Sequence, residues 1–394
     1  MKHEEILHRC FRCGYCKLPS DYTDITCPAY LANRFETCSP GGRMWLLRAW
    51  LNNDLTISER FAEIMFSCAA CGNCVEQCAF PGFKDLLLDA FTAGREALLE
   101  TGQVPAPVRD YLTRMQIHGN PYGKPAKNRN QWAADLDIPA FSGQEYLFFV
   151  DDVSGYDSLG QEIARSVAGL LQRAGISFGL LPEEAVSDGN DARAMGETAL
   201  FEDLARRNID LFTRLGVNKI ITLSPHTLNA IKNHYPEFGG IYMAAHYTQI
   251  LAFSMGYLPI RPNLNGGCVT IHDPCYLGRH NRDYQSCRMM LNAIPGFHIV
   301  EMDRNRKNAL CCGGGGGNFF TDLIAGDTDA PARSRVREAV DSGADTLVTA
   351  CPMCAIMLGA AAKTEGLDNR LQIKEISEFI NTCLNDMPGS EITD

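Results

Sequence analysis

Four cysteines at Cys68, Cys71, Cys74 and Cys78 constrain this chain more than any other feature, because C-x2-C-x2-C-x3-C is the spacing that wraps a cubane [4Fe-4S] cluster. Two residues between successive thiolates make a tight loop that brings three sulfurs to three corners of one cube, and a cysteine from elsewhere closes the fourth. An earlier run, Cys10, Cys13, Cys16 and Cys27, repeats the pattern with a longer last gap. In a two-cluster arrangement the fourth cysteine of each run serves the other run's cluster. That rule assigns Cys10, Cys13, Cys16 and Cys78 to one cube, and Cys68, Cys71, Cys74 and Cys27 to the other. The chemistry it predicts is electron transfer. Zinc is the bland alternative, but a four-coordinate structural zinc rarely needs three thiolates in one short loop. Disulfides fit less well, since the opening Met1-Lys2-His3-Glu4-Glu5 has no apolar signal core.

No stretch approaches the roughly 18 apolar residues of a membrane span. The expectation is a soluble, cytoplasmic chain that meets a membrane only through a partner subunit. Its 17 cysteines, as ligands or free thiols, call for a reducing compartment, and exposed clusters favour an anaerobic or microaerobic one. A net charge of -11, from 36 basic and 47 acidic residues, leaves no electrostatic footprint for nucleic acid.

At 394 residues the chain has room for two or three domains. Residues 1–122 read as helical around the two cysteine runs. Helices are expected over Met44 to Leu51, after Ser39-Pro40-Gly41-Gly42, over Ser58 to Phe66, and over Lys84 to Glu100. Cys38 has no place in either run and reads as a buried free thiol or a neighbour of the ligands. Residues 123–144, rich in Pro, Asn, Lys and Gly, read as a linker. From Tyr146 short apolar strands alternate with helices, as in Tyr146-Leu147-Phe148-Phe149-Val150 followed by Gly160 to Arg173, which is the signature of α/β units with parallel strands. This stretch repeats: the run from Gly216 to Thr227 lines up without gaps on that from Gly343 to Cys354. Two copies are therefore expected, at 145–266 and 267–394.

The second copy carries five further cysteines: Cys275 after His272-Asp273-Pro274, the pair Cys311-Cys312 before five glycines, and Cys351-Pro352-Met353-Cys354. Strand ends are where ligands gather in α/β units, so these thiolates are expected to converge there. Gly313 and Gly314 open the glycine run, which lets backbone approach a bulky cluster and donate N–H bonds to its sulfurs. A phosphate-binding loop is a poorer fit, since no Walker lysine follows. His272, Arg279 and His280 flank Cys275 and are placed to hydrogen-bond cluster sulfurs or deliver a proton. Cys268, Cys287 and Cys383 fit no ligand pattern and read as small buried apolar residues.

The Cys…Cys-Cys-Gly…Cys-x-x-Cys motif resembles the CCG domain of heterodisulfide reductases. Its place behind a two-cluster ferredoxin-type unit is similar to their catalytic subunit and to the iron–sulfur subunit of glycolate oxidase. The phrases His272-Asp273-Pro274-Cys275-Tyr276-Leu277-Gly278-Arg279 and Cys38-Ser39-Pro40-Gly41-Gly42-Arg43 look like those of the wider group. The resemblance implies a third cluster, a [4Fe-4S] of the CCG type that is non-cubane in that family, on Cys275, Cys311, Cys312, Cys351 and Cys354. These five would also be the catalytic residues if that cluster is the reactive site.

The first copy departs from the motif. The ungapped alignment puts Ser224 and Thr227 at the places of Cys351 and Cys354; by strand order Asp152 replaces Cys275, and Ser187-Asp188-Gly189 replaces Cys311-Cys312-Gly313. Hydroxyls and carboxylates are poor ligands for a sulfide-rich cluster. This copy reads as a scaffold or docking surface, with a hard-metal or small-molecule site of Asp152, Asp188 and His226 as the alternative. The fold expected is α+β multidomain: an α-helical two-[4Fe-4S] ferredoxin domain, then two tandem α/β CCG domains, the first without its cysteines. The function expected is an electron-transfer subunit of a multi-subunit anaerobic oxidoreductase, partnered by a flavin-containing subunit, an electron-transferring flavoprotein, or a membrane quinone or cytochrome module. A thiol–disulfide reductase, a glycolate- or lactate-type flavin dehydrogenase subunit, and a cluster-bearing binding protein without turnover are the alternatives.

Overall fold

The computed structural model describes residues 1–18, 24–262, 266–324 and 328–384. The end of the expected last domain, 385–394, lies outside them.

The N-terminal part is helical. Its helix Pro40–Leu51 begins four residues before the expected Met44, because the Ser39 hydroxyl caps the Gly42 N–H at 3.0 Å and Pro40 occupies the first turn. Gly42 is obligatory there: a Cβ would sit 2.0 Å from the Glu36 carbonyl oxygen. Ser58 likewise caps Glu59–Phe66. The expected helix from Lys84 starts as one 3-10 turn and becomes α-helical over Leu87–Glu100. These helices pack Met44, Leu47, Phe61, Met65, Phe91 and Leu98 into one core.

The segment expected as a linker is pinned rather than loose. Trp132 and Ala133 are buried in the core of the following sheet, Asn130 donates to the Leu181 carbonyl at 2.7 Å, and buried Arg129 pairs with Asp152 at 3.0 Å. Pro, Asn and Gly set its irregular backbone, while Arg129, Asn130 and Trp132 fix its place.

Two four-stranded parallel sheets follow. Strands β1 (Tyr146–Phe149), β2 (Phe178–Leu180), β3 (Lys219–Thr222) and β4 (Met243–His246) are ordered β2-β1-β3-β4. Strands β5 (Cys268–His272), β6 (His298–Ile299), β7 (Thr346–Thr349) and β8 (Gln372–Glu375) repeat that order as β6-β5-β7-β8. The registers correspond: Phe149 faces Thr222 as His272 faces Thr349, and Thr222 faces His246 as Thr349 faces Glu375. A single core, with Phe148, Ile163, Ile221, Ile271, Val348 and Ile376, joins the sheets. The N-terminal core in turn takes in Val186, Ala192, Met195 and Leu204 from the first copy. No described helix is long and apolar enough to cross a membrane.

Candidate metal centres and their surroundings

Three thiol-lined cavities lie in this fold. Cys10, Cys13, Cys16 and Cys78 line the outermost, closed by Phe11, Met44, Phe80, Phe83 and Leu87. Cys13 is exposed and the other three are half-buried. Gly41 keeps this wall thin, since a Cβ there would lie 3.7 Å from the Cys10 Sγ.

Cys27, Cys68, Cys71 and Cys74 line the second cavity with Pro28, Pro40, Arg43 and Phe91. Here Cys27, Cys71 and Cys74 are buried. Burial, and then the crowding of Cys68, Cys71, Cys16 and Cys27 around it, push the Cys74 thiol well above its ordinary value. Burial pushes Cys27 up to about 12. Thiols so crowded stay protonated unless a cation replaces the protons, and four cysteines line each cavity. The donor sets therefore fit two four-cysteine clusters.

The third site forms where β5 and β7 end. The turn after β5 presents Cys275, the loop before the glycine run presents Cys311 and Cys312, and the start of the helix Pro352–Thr364 presents Cys351 and Cys354. All five are buried. Cys311 and Cys275 are 3.8 Å apart and Cys312 and Cys354 3.3 Å apart, and the Gly313 N–H donates to the Cys311 Sγ at 3.3 Å. His272, Cys312 and Cys354 bring donor atoms within 4.8 Å of one another, the sole such triad among the described residues. The His272 Nδ1 accepts from the Arg335 Nε at 3.2 Å, and burial keeps the imidazole neutral, so the remaining proton lies on Nε2. Contact with Cys311 and Cys354, and then with His272, favours the ionised form of Cys312. Five soft thiolates and one N–H donor fit an iron–sulfur cluster.

The matching place in the first copy is a polar plug. Asp152 stands where the register puts Cys275, and Asp188 and Thr227 meet at 2.6 Å as Cys312 and Cys354 do in the other copy. Asp188 also accepts from the Asn190 N–H at 2.8 Å, Asp152 pairs with Arg129, and Asp191 lies 3.3 Å from the His226 Nδ1. Burial opposes the charge on His226, but Asp191 outweighs it and lifts the imidazole to about 9. Asp152, Asp188 and His226 thus line one pocket, yet they gather no three metal-donor atoms. His226 also lines the thiol site and lies against the Tyr276 ring at 4.1 Å, which stacks on His280 at 4.3 Å.

The second and third cavities meet directly. Cys71 and Cys311 belong to one buried cluster with Cys27 and Cys275. Arg279 donates to the Cys71 carbonyl at 2.6 Å and the Ala309 carbonyl at 2.7 Å, and His280 meets the Ala70 carbonyl at 2.9 Å. A Cβ on Gly315 would lie 2.5 Å from the Ala69 oxygen, and one on Gly316 would lie 2.5 Å from the Cys68 oxygen. This alters the expected reason for the glycine run. Gly313 and Gly314 do approach the paired cysteines, but Gly315 and Gly316 are small because another cysteine loop packs on them.

Cys38 and Cys287 are buried away from all three cavities, as is Cys383, whereas Cys268 is only half-buried at the start of β5, contrary to expectation. Arg95 and Arg335 make buried contacts, to the Cys68 carbonyl and to His272, that no motif announced. Arg95 had a signal all the same: it shares the apolar face of its helix with Leu87, Ala90, Phe91, Gly94 and Leu98.

Residues 6–80 match the family model of a 4Fe-4S dicluster domain, and residues 155–232 and 269–359 match that of a cysteine-rich domain. The first of the two cysteine-rich matches falls on the copy without cysteines. The chain is 34% identical to a probable iron-sulfur-binding oxidoreductase, FadF, of Bacillus subtilis, over 81% of this chain and 46% of the relative. It is 28% identical to an EtfAB:quinone oxidoreductase of Syntrophomonas wolfei, over 81% and 46%. It is 27% identical to a subunit of the dihydromethanophenazine:CoB–CoM heterodisulfide reductase of Methanosarcina barkeri, over 96% and 94%. The chain thus spans about half the length of the Bacillus and Syntrophomonas relatives.

Proposed function

This chain is a heterodisulfide reductase-like iron–sulfur protein, and from that premise we propose that it is the electron-transfer subunit of a multi-subunit anaerobic oxidoreductase. In this reading Cys10, Cys13, Cys16 and Cys78 hold one cubane cluster, Cys27, Cys68, Cys71 and Cys74 hold a second, and Cys275, Cys311, Cys312, Cys351 and Cys354 hold a CCG-type cluster. These groups supply one-electron chemistry when bound. The observation that carries the proposal is that Cys27 and Cys71 share one buried cluster with Cys275, Cys311 and Cys312, so that the second and third ligand sets adjoin. Exposure falls steadily from Cys13 inward to the five buried thiols, as a path from a partner's surface to an interior terminus requires.

The partner is a flavin-containing subunit, an electron-transferring flavoprotein or a membrane quinone module; the name of the Syntrophomonas relative supports the last two. The chain would then be cytoplasmic and reach a membrane through that partner. Thiol–disulfide reduction is the second reading, favoured by the nearly full-length match to the Methanosarcina protein. Against it stand Asp188 and Thr227, where a second set of thiolates would be needed to take the other sulfur.

The test is iron and acid-labile sulfide on anaerobically purified protein, with EPR of oxidised and reduced forms. The parent should carry about twelve irons, as three clusters of four. Cys312→Ala should drop this to about eight and remove one signal distinct from the reduced cubes. A parent with about eight irons and cubane signals alone would defeat the three-cluster reading.

A further inference from the structure

Seven arginines are buried among the described residues, and they fall into two groups. Arg129 pairs with Asp152, Arg288 with Asp273 and Glu301, and Arg304 and Arg335 with Glu338. Arg43, Arg95 and Arg279 form no ion pair with a carboxylate; Arg43 lines the second cysteine cavity, and Arg95 and Arg279 bind the carbonyls of Cys68 and Cys71 in its wall.

Their hydrogen bonds go chiefly to the end of the helix Glu59–Phe66 and to the cysteine loop that follows it. Arg43 donates to the Ile64 carbonyl and the Ser67 hydroxyl, each at 2.9 Å, and lines the cavity itself. Arg95 donates to the carbonyls of Met65, Phe66 and Cys68. Arg279 donates to the Cys71 carbonyl, and its Nη2, fully buried, has no hydrogen-bond partner. Carbonyl oxygens solvate a guanidinium but do not neutralise it. Leaving a buried charge without a counter-ion is strongly unfavourable. Three such costs around one cavity imply a resident negative charge. Arg43 lines the cavity beside Cys27, Arg95 binds the Cys68 carbonyl, and Arg279 bridges the Cys71 carbonyl to that of Ala309 at the edge of the third site. The outer cavity has no buried arginine among the described residues: Arg12 lines it, but is exposed and lies over the Trp45 ring at 4.0 Å.

We propose that Arg43, Arg95 and Arg279 are the counter-ions of the cluster held by Cys27, Cys68, Cys71 and Cys74. They thereby set its reduction potential above that of the cluster held by Cys10, Cys13, Cys16 and Cys78. The inference rests on the ligand sets proposed above. A thiolate-held iron–sulfur core is anionic and gains one more negative charge on reduction, so fixed positive charge beside it favours the reduced form. One electron then leaves the outer site and one enters the inner site, next to Cys311, with the donor a partner's reduced flavin or, in a test, dithionite.

The experiment is an EPR-monitored redox titration of the intact, cluster-loaded chain. Cys13→Ser and Cys71→Ser identify the outer and inner signals. The inner midpoint should lie above the outer one. Arg279→Gln should move the inner midpoint down and leave the outer one in place, while Arg279→Lys, which keeps the charge, should hold the inner midpoint near that of the parent. An inner midpoint below the outer one, or one unmoved in Arg279→Gln at full iron content, overturns the inference. Should Arg279→Gln lose the inner cluster, Arg279→Lys decides: an occupied site with the parent's midpoint supports a role for charge, and a second loss assigns the residue to loop geometry instead. A parent lacking the second cubane signal would overturn the ligand assignment and this inference together.

Discussion

Glu375 is a buried acid held by hydroxyls and one N–H. The hydroxyls of Tyr247 and Ser377 donate to it, and so does the Ser377 N–H at 2.8 Å. Burial lifts its carboxyl to about 7. The folded state therefore binds this proton more tightly than the unfolded chain does. Stability is greatest below the ordinary carboxylate range and falls as pH rises to about 7, by a figure on the order of 3 kcal/mol. Glu375→Gln should flatten the fall in thermal midpoint between pH 5 and pH 8 and raise the midpoint at pH 8. An unchanged slope would move the effect to Asp152, which burial also lifts to about 7. The first copy meets the same need with His246 at the matching strand end, whose imidazole burial pushes down to about 4 and so keeps neutral. The cysteine spacing anticipates the grouping of eight thiols into two cavities, because a loop of fixed length limits which of them can face one space. The buried arginines were less legible. Arg43 stands in a phrase noted for its glycines, and Arg95 acquires its role only when Ala194 and Cys68 close over it.

Among the elements, the loop after Cys312 shows how far local sequence carries. Five consecutive glycines announce a close approach but not what approaches. The answer lies far away in sequence, in the loop of Ala69 and Cys68. Gly315 is the cleaner probe, since its φ is not in the left-handed region and the Cβ of an alanine would press hardest on the Ala69 oxygen. Gly315→Ala should destabilise by about 1–3 kcal/mol. It should also slow reduction of the third site by the second in rapid-mixing EPR, with iron content unchanged. Parent-like kinetics would show that this contact does not set the transfer rate. The repeat, by contrast, could be read from strand ends alone. Gly216 to Thr227 aligns on Gly343 to Cys354 because a strand entering a helix through Ser-Pro or Cys-Pro keeps its length. The segment 124–143 misled for the opposite reason: its composition describes its backbone, whereas Trp132 and Arg129 decide its packing.

Across the whole molecule, the cysteine-rich helical part and the two sheets share side chains at every seam. Val186 and Met195 enter the first core, Asn318 reaches back to the Phe66 and Cys68 carbonyls at 3.5 Å, and Asn381 donates to the Ser166 hydroxyl at 2.6 Å. A proteolytic nick within 124–143 should therefore leave both fragments together on native gel filtration, and separation without denaturant would contradict the seam. Exposure is unequal across the body all the same: Cys13 faces solvent, Cys71 and Cys74 do not, and the five thiols at the end of β5 and β7 lie deepest. Corrosion would follow the same order. With clusters in the three cavities as proposed, a brief leak of air would oxidise the rim first, leaving the inner metal intact but isolated, much as a fuse fails before the device it protects.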